Sequence, residues 1–245
     1  MKSLFQAIGY QVGRGAAKAK NIYDLVGGDD AESLRAEMRL GDELAQAALA
    51  NRPLIRPNET TQYARDIGQW LASYLTERRL RYTFHFTAEP ALNAFALPGG
   101  HVFVSWPLLE LCADRDEIAF LLGHEMAHIN LRHALDRVVQ DSVFALLLRR
   151  SPGSAATAWL QKVGQQALSR AYSREQEFEA DAFALGLLDQ GGGNLEAGEN
   201  LLGKLAAQLP QQAKSNWSEY LATHPPLDAR VQYLRTTRTA WNAKG

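Results

Sequence analysis

The sequence predicts an α+β fold that is mostly helical and contains one small antiparallel sheet. Apolar residues recur at three- and four-residue intervals over most of the chain, which is the period of amphipathic helices. Residues 81–105 are the exception, because apolar and polar side chains alternate there as they do in a strand. A chain of 245 residues can bury a substantial core, so we expect a single domain over 29–245.

Two helices are expected before the sheet, over 31–49 and 60–80. Arg52-Pro53 and Arg56-Pro57 break the pattern between them, because proline disfavours a helical conformation in the preceding residue. The strands are expected over 82–86, 93–97 and 101–105, with a turn at Pro98-Gly99-Gly100 between the last two.

The second half of the chain is expected to be helical. Asp114 with Glu117 three residues later resembles a capping box and opens a helix that continues to Ile129. Ser151-Pro152-Gly153-Ser154 interrupts a helical hairpin. A helix is predicted over about 173–189, and Gly191-Gly192-Gly193 ends it. Asn194 can cap the next helix, and Pro226 is well placed in the first turn of the last one.

The composition excludes some classes of function. The 26 basic and 27 acidic side chains leave a net charge of -1, so no basic face for nucleic acid is expected. Cys112 is the only cysteine, so no intramolecular disulfide can form. We see no signal peptide and no apolar run of roughly 20 residues that could span a membrane. The cytoplasm or a membrane surface is therefore the favoured location, and the periplasm is the alternative.

Residues 1–28 are expected to form a separate N-terminal helical segment. Its first 20 residues carry four basic side chains and no acid, with apolar residues on one side of a possible helix. These features suggest a weak peripheral contact with a membrane surface. The other interpretation is a first helix that packs on the domain, which we favour because glycines at 9, 13 and 15 weaken an isolated helix.

The residues His124-Glu125-Met126-Ala127-His128 form an H-E-x-x-H motif within an apolar helix. Residues four apart in a helix lie on one face, so both imidazoles can reach the same ion. Neutral imidazole is a good zinc ligand, and Glu125 is close enough to hold a water molecule on the metal. The alternative is a pair of surface histidines, but unpaired charges on an otherwise buried stripe would be costly.

A catalytic zinc site uses three protein ligands and leaves a fourth position for water. His133 could supply the third, but the metzincin pattern needs Gly at 131 and His at 134, where this chain has Leu131 and Ala134. We therefore expect His133 on the helix surface or behind a metal ligand.

The better candidate for the third ligand lies about fifty residues downstream, in an E-x-x-A-D sequence from Glu177 to Asp181. Both carboxylates occupy one helical face. Glu177 can bind the metal, and Asp181 can accept a hydrogen bond from the other nitrogen of a ligand histidine and fix its tautomer. A helix rich in Glu is more often a solvated face, so the motif gains its meaning from its place after H-E-x-x-H.

Together these segments resemble the gluzincin metallopeptidase family of the CAAX prenyl proteases, the heat-shock protease HtpX and the Oma- and Bep-type peptidases. The matching segments are Asn93-Ala94-Phe95, Pro98-Gly99-Gly100, His124 to His128, Tyr172-Ser173-Arg174 with Glu177 and Asp181, and Thr223-His224-Pro225-Pro226 with Arg230. The resemblance implies a zincin-like fold, one zinc ion per chain, Glu177 as a ligand, and peptide-bond hydrolysis. The prenyl proteases and HtpX carry transmembrane helices, so we expect a small soluble or peripheral member that does not process prenylated proteins.

The resemblance also implies that Asn93, Ala94 and Phe95 form the edge strand beside the substrate and that His224 lies near the active site. We expect Glu125 to act as the base that activates a zinc-bound water for attack on the peptide bond. His224 is our first choice for a donor to the developing oxyanion, and its alternative is a loop histidine that caps a carbonyl. Arg230 is expected either to pair with a carboxylate near the site or to remain a surface charge.

The expected substrates are polypeptides, unfolded or misfolded ones in protein quality control or catabolism. Two other functions stay open from the sequence. One is a non-catalytic or latent zinc-binding, chaperone-like module on the same scaffold, which a closed site with His224 as fourth ligand would favour. The other is a helical interaction protein in which the motifs are accidental.

Overall fold

The structure is a computed structural model, and it describes residues 30–75, 80–139, 171–208, 223–224 and 227–242. The N-terminal segment at 1–28, the interruption at Ser151-Pro152-Gly153-Ser154 and the Pro225-Pro226 turn lie outside the described residues. Within the described part, none of the helices is both long and apolar enough to cross a bilayer.

Most of the described residues are helical, as predicted. The helices are α1 (Asp30–Leu49), α2 (Glu59–Ala72), α3 (Trp106–Leu111), α4 (Arg115–Asn130), α5 (Arg174–Gln190), α6 (Ala197–Gln208) and α7 (Leu227–Asn242). The chain is also helical over 133–139. The prediction for α2 was too long, because that helix ends at Ala72 with Ser73 as its C-cap.

Three strands form one sheet in the order β1 (Thr83–Thr87), β3 (His101–Ser105), β2 (Ala94–Leu97). The predicted antiparallel pairing is confirmed for β2 and β3, which flank the turn at Pro98–Gly100. It is wrong for β1 and β3, which pair in parallel with Thr83 opposite His101. The sheet is therefore mixed: β3 lies between the other two strands, parallel to β1 and antiparallel to β2.

The main core joins the sheet to the helices that follow it. Apolar side chains from α2, all three strands and helices α3 to α7 meet in one buried cluster. α4 lies at its centre, since all of its residues from Glu117 to Ile129 are buried. A second cluster joins α1 to the other face of the sheet through Leu44, Phe95 and Phe103. Polar side chains on α4 are thus held inside the domain, where each needs a partner.

Candidate metal centre

The position of α4 is fixed by its N-terminus and by its burial. The Asp114 carboxylate accepts hydrogen bonds from the backbone N–H groups of Asp116 and Glu117, at 3.0 and 2.9 Å. The predicted capping box is only half present, because the Glu117 carboxylate accepts instead from the Ala113 N–H and from Lys204. The helix therefore begins at the predicted residue and carries the H-E-x-x-H motif through the core.

α5 supplies the two predicted carboxylates. Ser173 caps this helix, and Gln176 completes the capping box. α5 packs closely on α4 because Gly123 faces it: a Cβ added there would come within 3.4 Å of the Ala184 Cβ. Glu177 and Asp181 thereby reach the imidazoles of α4, and both carboxylates are fully buried.

Four side chains converge at one point between these helices. His124, His128, Glu177 and His224 each offer one atom to a group whose members all lie within 4.8 Å of one another. The Nε2 atoms of His124 and His128 are 3.2 Å apart, and His128 Nε2 is 3.4 Å from Glu177 Oε1. His224 Nδ1 is 3.4 Å from His124 Nε2 and 2.9 Å from Glu177 Oε1.

These distances fit a zinc ion. A tetrahedral site with metal–ligand bonds of about 2.0–2.1 Å has ligand atoms roughly 3.3–3.4 Å apart. The four donors are imidazole nitrogens and a carboxylate oxygen, which is a set that suits zinc. All four residues are at most 1% exposed, and with His224 the group offers one donor more than the three protein ligands of a catalytic zinc site.

The outward nitrogen of His124 is held by a buried ion pair. Asp181 Oδ1 lies 2.9 Å from His124 Nδ1. Arg230 from α7 donates to both oxygens of Asp181, at 2.7 and 2.9 Å, and its Nη1 lies 2.8 Å from Glu177 Oε2. Of the two interpretations of Arg230, the geometry therefore fits the pairing with carboxylates at the site.

The outward nitrogen of His128 has a different partner. His128 Nδ1 lies 3.1 Å from His133 Nδ1, and His133 Nε2 lies 3.1 Å from Glu179 Oε2. The Tyr172 ring stacks on the His128 imidazole, with ring centroids 3.7 Å apart. The Arg137 guanidinium lies over the Tyr172 ring, 4.2 Å from its centroid.

The charge states of these groups follow from their surroundings. Burial holds the pKa of His128 well below its usual value, against the opposing bond from Glu177. Burial alone would raise the pKa of Glu177, but the neighbouring His224 and Arg230 outweigh it and keep that pKa well below its usual range. Burial likewise opposes ionisation of Asp181, and Arg230 and His124 nevertheless lower its pKa. Neutral imidazole and ionised carboxylate are the forms that bind metal.

Glu125 is the exception among the buried polar side chains. It is fully buried, and neither carboxylate oxygen has a hydrogen-bond partner among the described residues. The His224 imidazole lies beside it, with Nε2 3.6 Å from Glu125 Oε1. A buried carboxylate without a hydrogen bond is costly, so its place beside the metal-binding group needs an explanation.

The structure brings together seven of the predicted site residues: His124, Glu125, His128, Glu177, Asp181, His224 and Arg230. Asn93, Ala94 and Phe95 lie instead on or just before β2, which is at the edge of the sheet that the described strands form. All three are buried in this conformation. The Arg137 Nη2 donates to the carbonyl of Ala96 on the same strand, at 3.4 Å.

Tyr172 and Arg137 were missed as site neighbours from the sequence. Tyr172 stood in a matching segment, but no spacing rule shows that its ring will stack on an imidazole 44 residues earlier. Buried arginine is rare without a partner, yet nothing local marks Arg137 as buried. Both contacts arise from tertiary packing alone.

Comparison with known proteins agrees with this geometry. A family model described as Peptidase family M48 matches residues 58–238, well over half of the chain. The chain belongs to peptidase family M48. The family membership and the buried His/Glu cluster confirm the predicted class of this domain, a zinc-dependent metallopeptidase, and the predicted likeness to Oma- and Bep-type peptidases.

Curated relatives of this M48 peptidase carry protease names. The beta-barrel assembly-enhancing protease of Yersinia pestis is 29% identical over 83% of this chain and 44% of its own length. Human mitochondrial metalloendopeptidase OMA1 is 29% identical over 64% of this chain and 32% of its own length. The OMA1 of Schizosaccharomyces pombe is 28% identical over 82% of this chain and 61% of its own length. This chain thus spans less than two thirds of each relative.

Proposed function

We propose that this protein is a zinc-dependent metalloendopeptidase in which His124, His128 and Glu177 hold the ion and Glu125 is the general base. The observation that carries the proposal is the convergence of buried metal-binding atoms beside a buried carboxylate that has no hydrogen-bond partner among the described residues. A purely structural zinc site has no use for that second carboxylate. Its desolvation is explained if a substrate and water meet it during turnover.

The roles of the side chains follow from their positions. When bound, zinc would polarise the scissile carbonyl and lower the pKa of a water molecule beside it. Glu125 takes a proton from the attacking water and passes it to the leaving amine. Asp181 accepts from His124 Nδ1 and so favours the tautomer whose Nε2 is free to bind, while Arg230 holds the Asp181 carboxylate. His224 and Arg230 favour the ionised form of Glu177.

The substrates follow from the edge of the sheet. The Ser105 N–H donates to the Asn93 carbonyl, and the Asn93 N–H donates to Ser105 Oγ. In this register the N–H and C=O groups of Ala94 and Ala96 point to the outer edge of β2. The Ala96 carbonyl already accepts from Arg137 Nη2 there, so a bound peptide would replace that hydrogen bond. An extended peptide can pair with such an edge through its backbone. That mode tolerates many sequences and requires an extended chain, so we propose unfolded or misfolded proteins as substrates. For the location we retain the cytoplasm or a membrane surface, with the periplasm as the alternative.

A latent state is the second candidate, and the position of His224 favours it. His224 Nδ1 belongs to the candidate metal-binding group, and all four residues of that group are buried. A substrate carbonyl would need the place that His224 takes. We therefore propose that turnover requires His224 to leave this position, after which its imidazole can act as a donor to the oxyanion.

The test is cleavage of unfolded casein by the full zinc-loaded chain, with and without a chelator. Glu125→Gln should keep its zinc and lose at least about 100-fold in rate, because a general base contributes roughly 10²–10⁴. Glu110→Gln, an exposed glutamate on α3, is the matched control and should cleave at the wild-type rate. Cleavage by Glu125→Gln at the rate of the control would exclude Glu125 as the base.

His224→Ala separates the two roles of that residue. If His224 keeps the enzyme latent, the variant should cleave casein faster than the wild type. If it acts mainly as an oxyanion donor, the rate should fall by about 10²–10³. A non-catalytic zinc module predicts a third result, in which neither the wild type nor His224→Ala shows any cleavage that a chelator removes.

A further inference from the structure

The two histidines of the H-E-x-x-H motif are held in different ways. His124 bonds to Asp181, a buried carboxylate paired with Arg230. His128 bonds to another imidazole, that of His133, which is itself buried. His133 in turn reaches Glu179, whose side chain is 63% exposed. A chain of hydrogen bonds therefore runs from the metal site to the surface through His133.

The direction of these bonds is fixed if His128 binds the metal, which is the proposed function on which this inference rests. His128 Nε2 faces the other ligand atoms, so its proton must sit on Nδ1. That proton is donated to His133 Nδ1, 3.1 Å away, which must then carry a lone pair. His133 therefore has its own proton on Nε2 and donates it to Glu179 Oε2.

The backbone is bent to make this contact. In a continuous helix, the fifth residue after His128 would lie about 140° around the axis and point away from it. α4 ends at Asn130 instead, and Arg132 adopts a positive φ of 64° before the next helical residues begin. A non-glycine residue in that conformation is strained and is often found at functional sites.

Two contacts hold the bend in place. The Arg132 guanidinium donates to Ser33 Oγ on α1 at 3.2 Å and lies 3.6 Å from the Glu37 carboxylate. The result is that His133 meets the Nδ1 edge of the His128 ring, while Tyr172 covers one face of that ring. His128 is thus clamped in both position and orientation.

We propose that His133 is a positioning residue for the metal ligand His128, and that Glu179 fixes the tautomer in which His133 can do so. His133 is not one of the four candidate ligands, and its contact with His128 is at Nδ1, not at the metal-binding Nε2. Its effect is to keep the proton of His128 on Nδ1 and the lone pair of Nε2 directed at the ion. Partners of this kind typically change metal affinity 10- to 100-fold.

The experiment compares two substitutions in the full chain. His133→Phe keeps a flat ring but removes the acceptor, and we expect its zinc dissociation constant to rise about 10- to 100-fold. His133→Gln offers a carbonyl oxygen that can accept the His128 proton, and it should recover most of the lost affinity. The readout is competition for zinc with a chelator of known affinity, combined with the ligand-field spectrum of the Co²⁺-loaded protein.

A second pair of substitutions tests Glu179, at the outer end of the series of hydrogen bonds. Glu179→Ala should weaken zinc binding less than His133→Phe, because water can replace an exposed carboxylate. Glu175→Ala, an exposed glutamate one turn earlier on α5, is the matched control and should bind zinc as the wild type does. Equal zinc affinity in Glu179→Ala and Glu175→Ala would remove Glu179 from the proposal.

A measurement on the wild type keeps the proposal testable if His133→Phe does not fold. In the ¹⁵N spectrum of the zinc-loaded protein, we expect His128 to be protonated on Nδ1 and His133 on Nε2. A proton on His133 Nδ1, or wild-type zinc affinity in folded His133→Phe, overturns the positioning role. A wild-type chain that binds no zinc contradicts the proposed function instead, so the two failures are distinguishable.

Discussion

Arg230 is the largest side chain that the described core buries completely. Its guanidinium faces two buried carboxylates, Asp181 at 2.7 Å and Glu177 at 2.8 Å. Bringing three ionised groups out of water is expensive, and their mutual attraction has to offset that cost. The removal of one member therefore leaves uncompensated charge in the core, which is worse than having no charges there.

We predict that Arg230→Met lowers the free energy of unfolding by about 3–5 kcal/mol, because it leaves two buried carboxylates without their cation. Methionine fills much of the same volume, so the loss reports charge more than packing. Arg235→Met is the control on the same helix: Arg235 pairs with Glu199 while 59% exposed, and such pairs contribute about 0–1 kcal/mol. Urea unfolding in the presence of a chelator measures both, and equal losses would refute the role assigned to Arg230.

For single residues, the sequence predicted positions best where the spacing of residues and their chemistry point to the same site. Glu177 and Asp181 are four residues apart, so any helix there had to present both to one neighbour. His224 could be placed near the site only by resemblance, and its position within the metal-binding group depends on how the chain folds back. His133 needed a backbone with positive φ at Arg132, which no residue preference indicates.

The helices and strands also divide into features that local sequence predicts and features that depend on the path of the chain. Period and capping residues predicted α1, α4 and α5 to within one residue at most ends, because those signals are local. The alternating pattern of β1 determined which side chains face the core, but it contains no information about strand direction. The parallel pairing of β1 with β3 depends on the path of the chain between them, so it could not be predicted from the strands themselves.

α1 packs closely against the turn that precedes β3, and this contact can be tested by substitution. Gly41 on α1 lies against the turn, and a Cβ there would collide with the carbonyl group of Pro98. Gly99 in the turn has a positive φ of 79°, and a Cβ added to it would lie 2.9 Å from the Met38 Cα. Backbone therefore packs on backbone, and neither side can move away without shifting β2 and β3.

We predict that Gly41→Ala destabilises the protein by about 1–3 kcal/mol, as overpacking of a tight contact usually does. Gly203→Ala in α6 is the matched control, because nothing lies within 4 Å of its added Cβ. That substitution should instead stabilise by up to about 1 kcal/mol, through helix propensity alone. Thermal unfolding followed by circular dichroism shows whether each substitution stabilises or destabilises the protein. Stabilisation by Gly41→Ala would contradict the close packing.

For the whole molecule, the metal-binding group connects parts of the chain that are far apart in sequence. His124 and His128 come from α4, Glu177 from α5, and His224 from the segment that leads to α7. An ion held by this group would bond to α4 and α5 together, and to the third segment as well when His224 binds it. Unfolding separates them, so binding energy for the ion becomes stability of the fold.

We therefore predict that zinc raises the midpoint of thermal unfolding of the full chain and that a chelator reverses the rise. At free zinc about 100 times the dissociation constant, the stabilisation should be about 2.7 kcal/mol. Magnesium and calcium at the same concentration should give no such shift, because they prefer sets of oxygen ligands.

Glu177→Ala tests whether that stabilisation comes from the candidate site. The variant loses a ligand and also leaves Arg230 without one of its carboxylates, so its unfolding midpoint without metal should already be low. The decisive quantity is the increment on adding zinc, which should largely disappear in Glu177→Ala and persist in Glu175→Ala, whose exposed carboxylate touches none of the four candidate ligands in the described part of the chain. A full increment in Glu177→Ala would mean that zinc stabilises the protein from another place, and the ligand set proposed here would have to be abandoned.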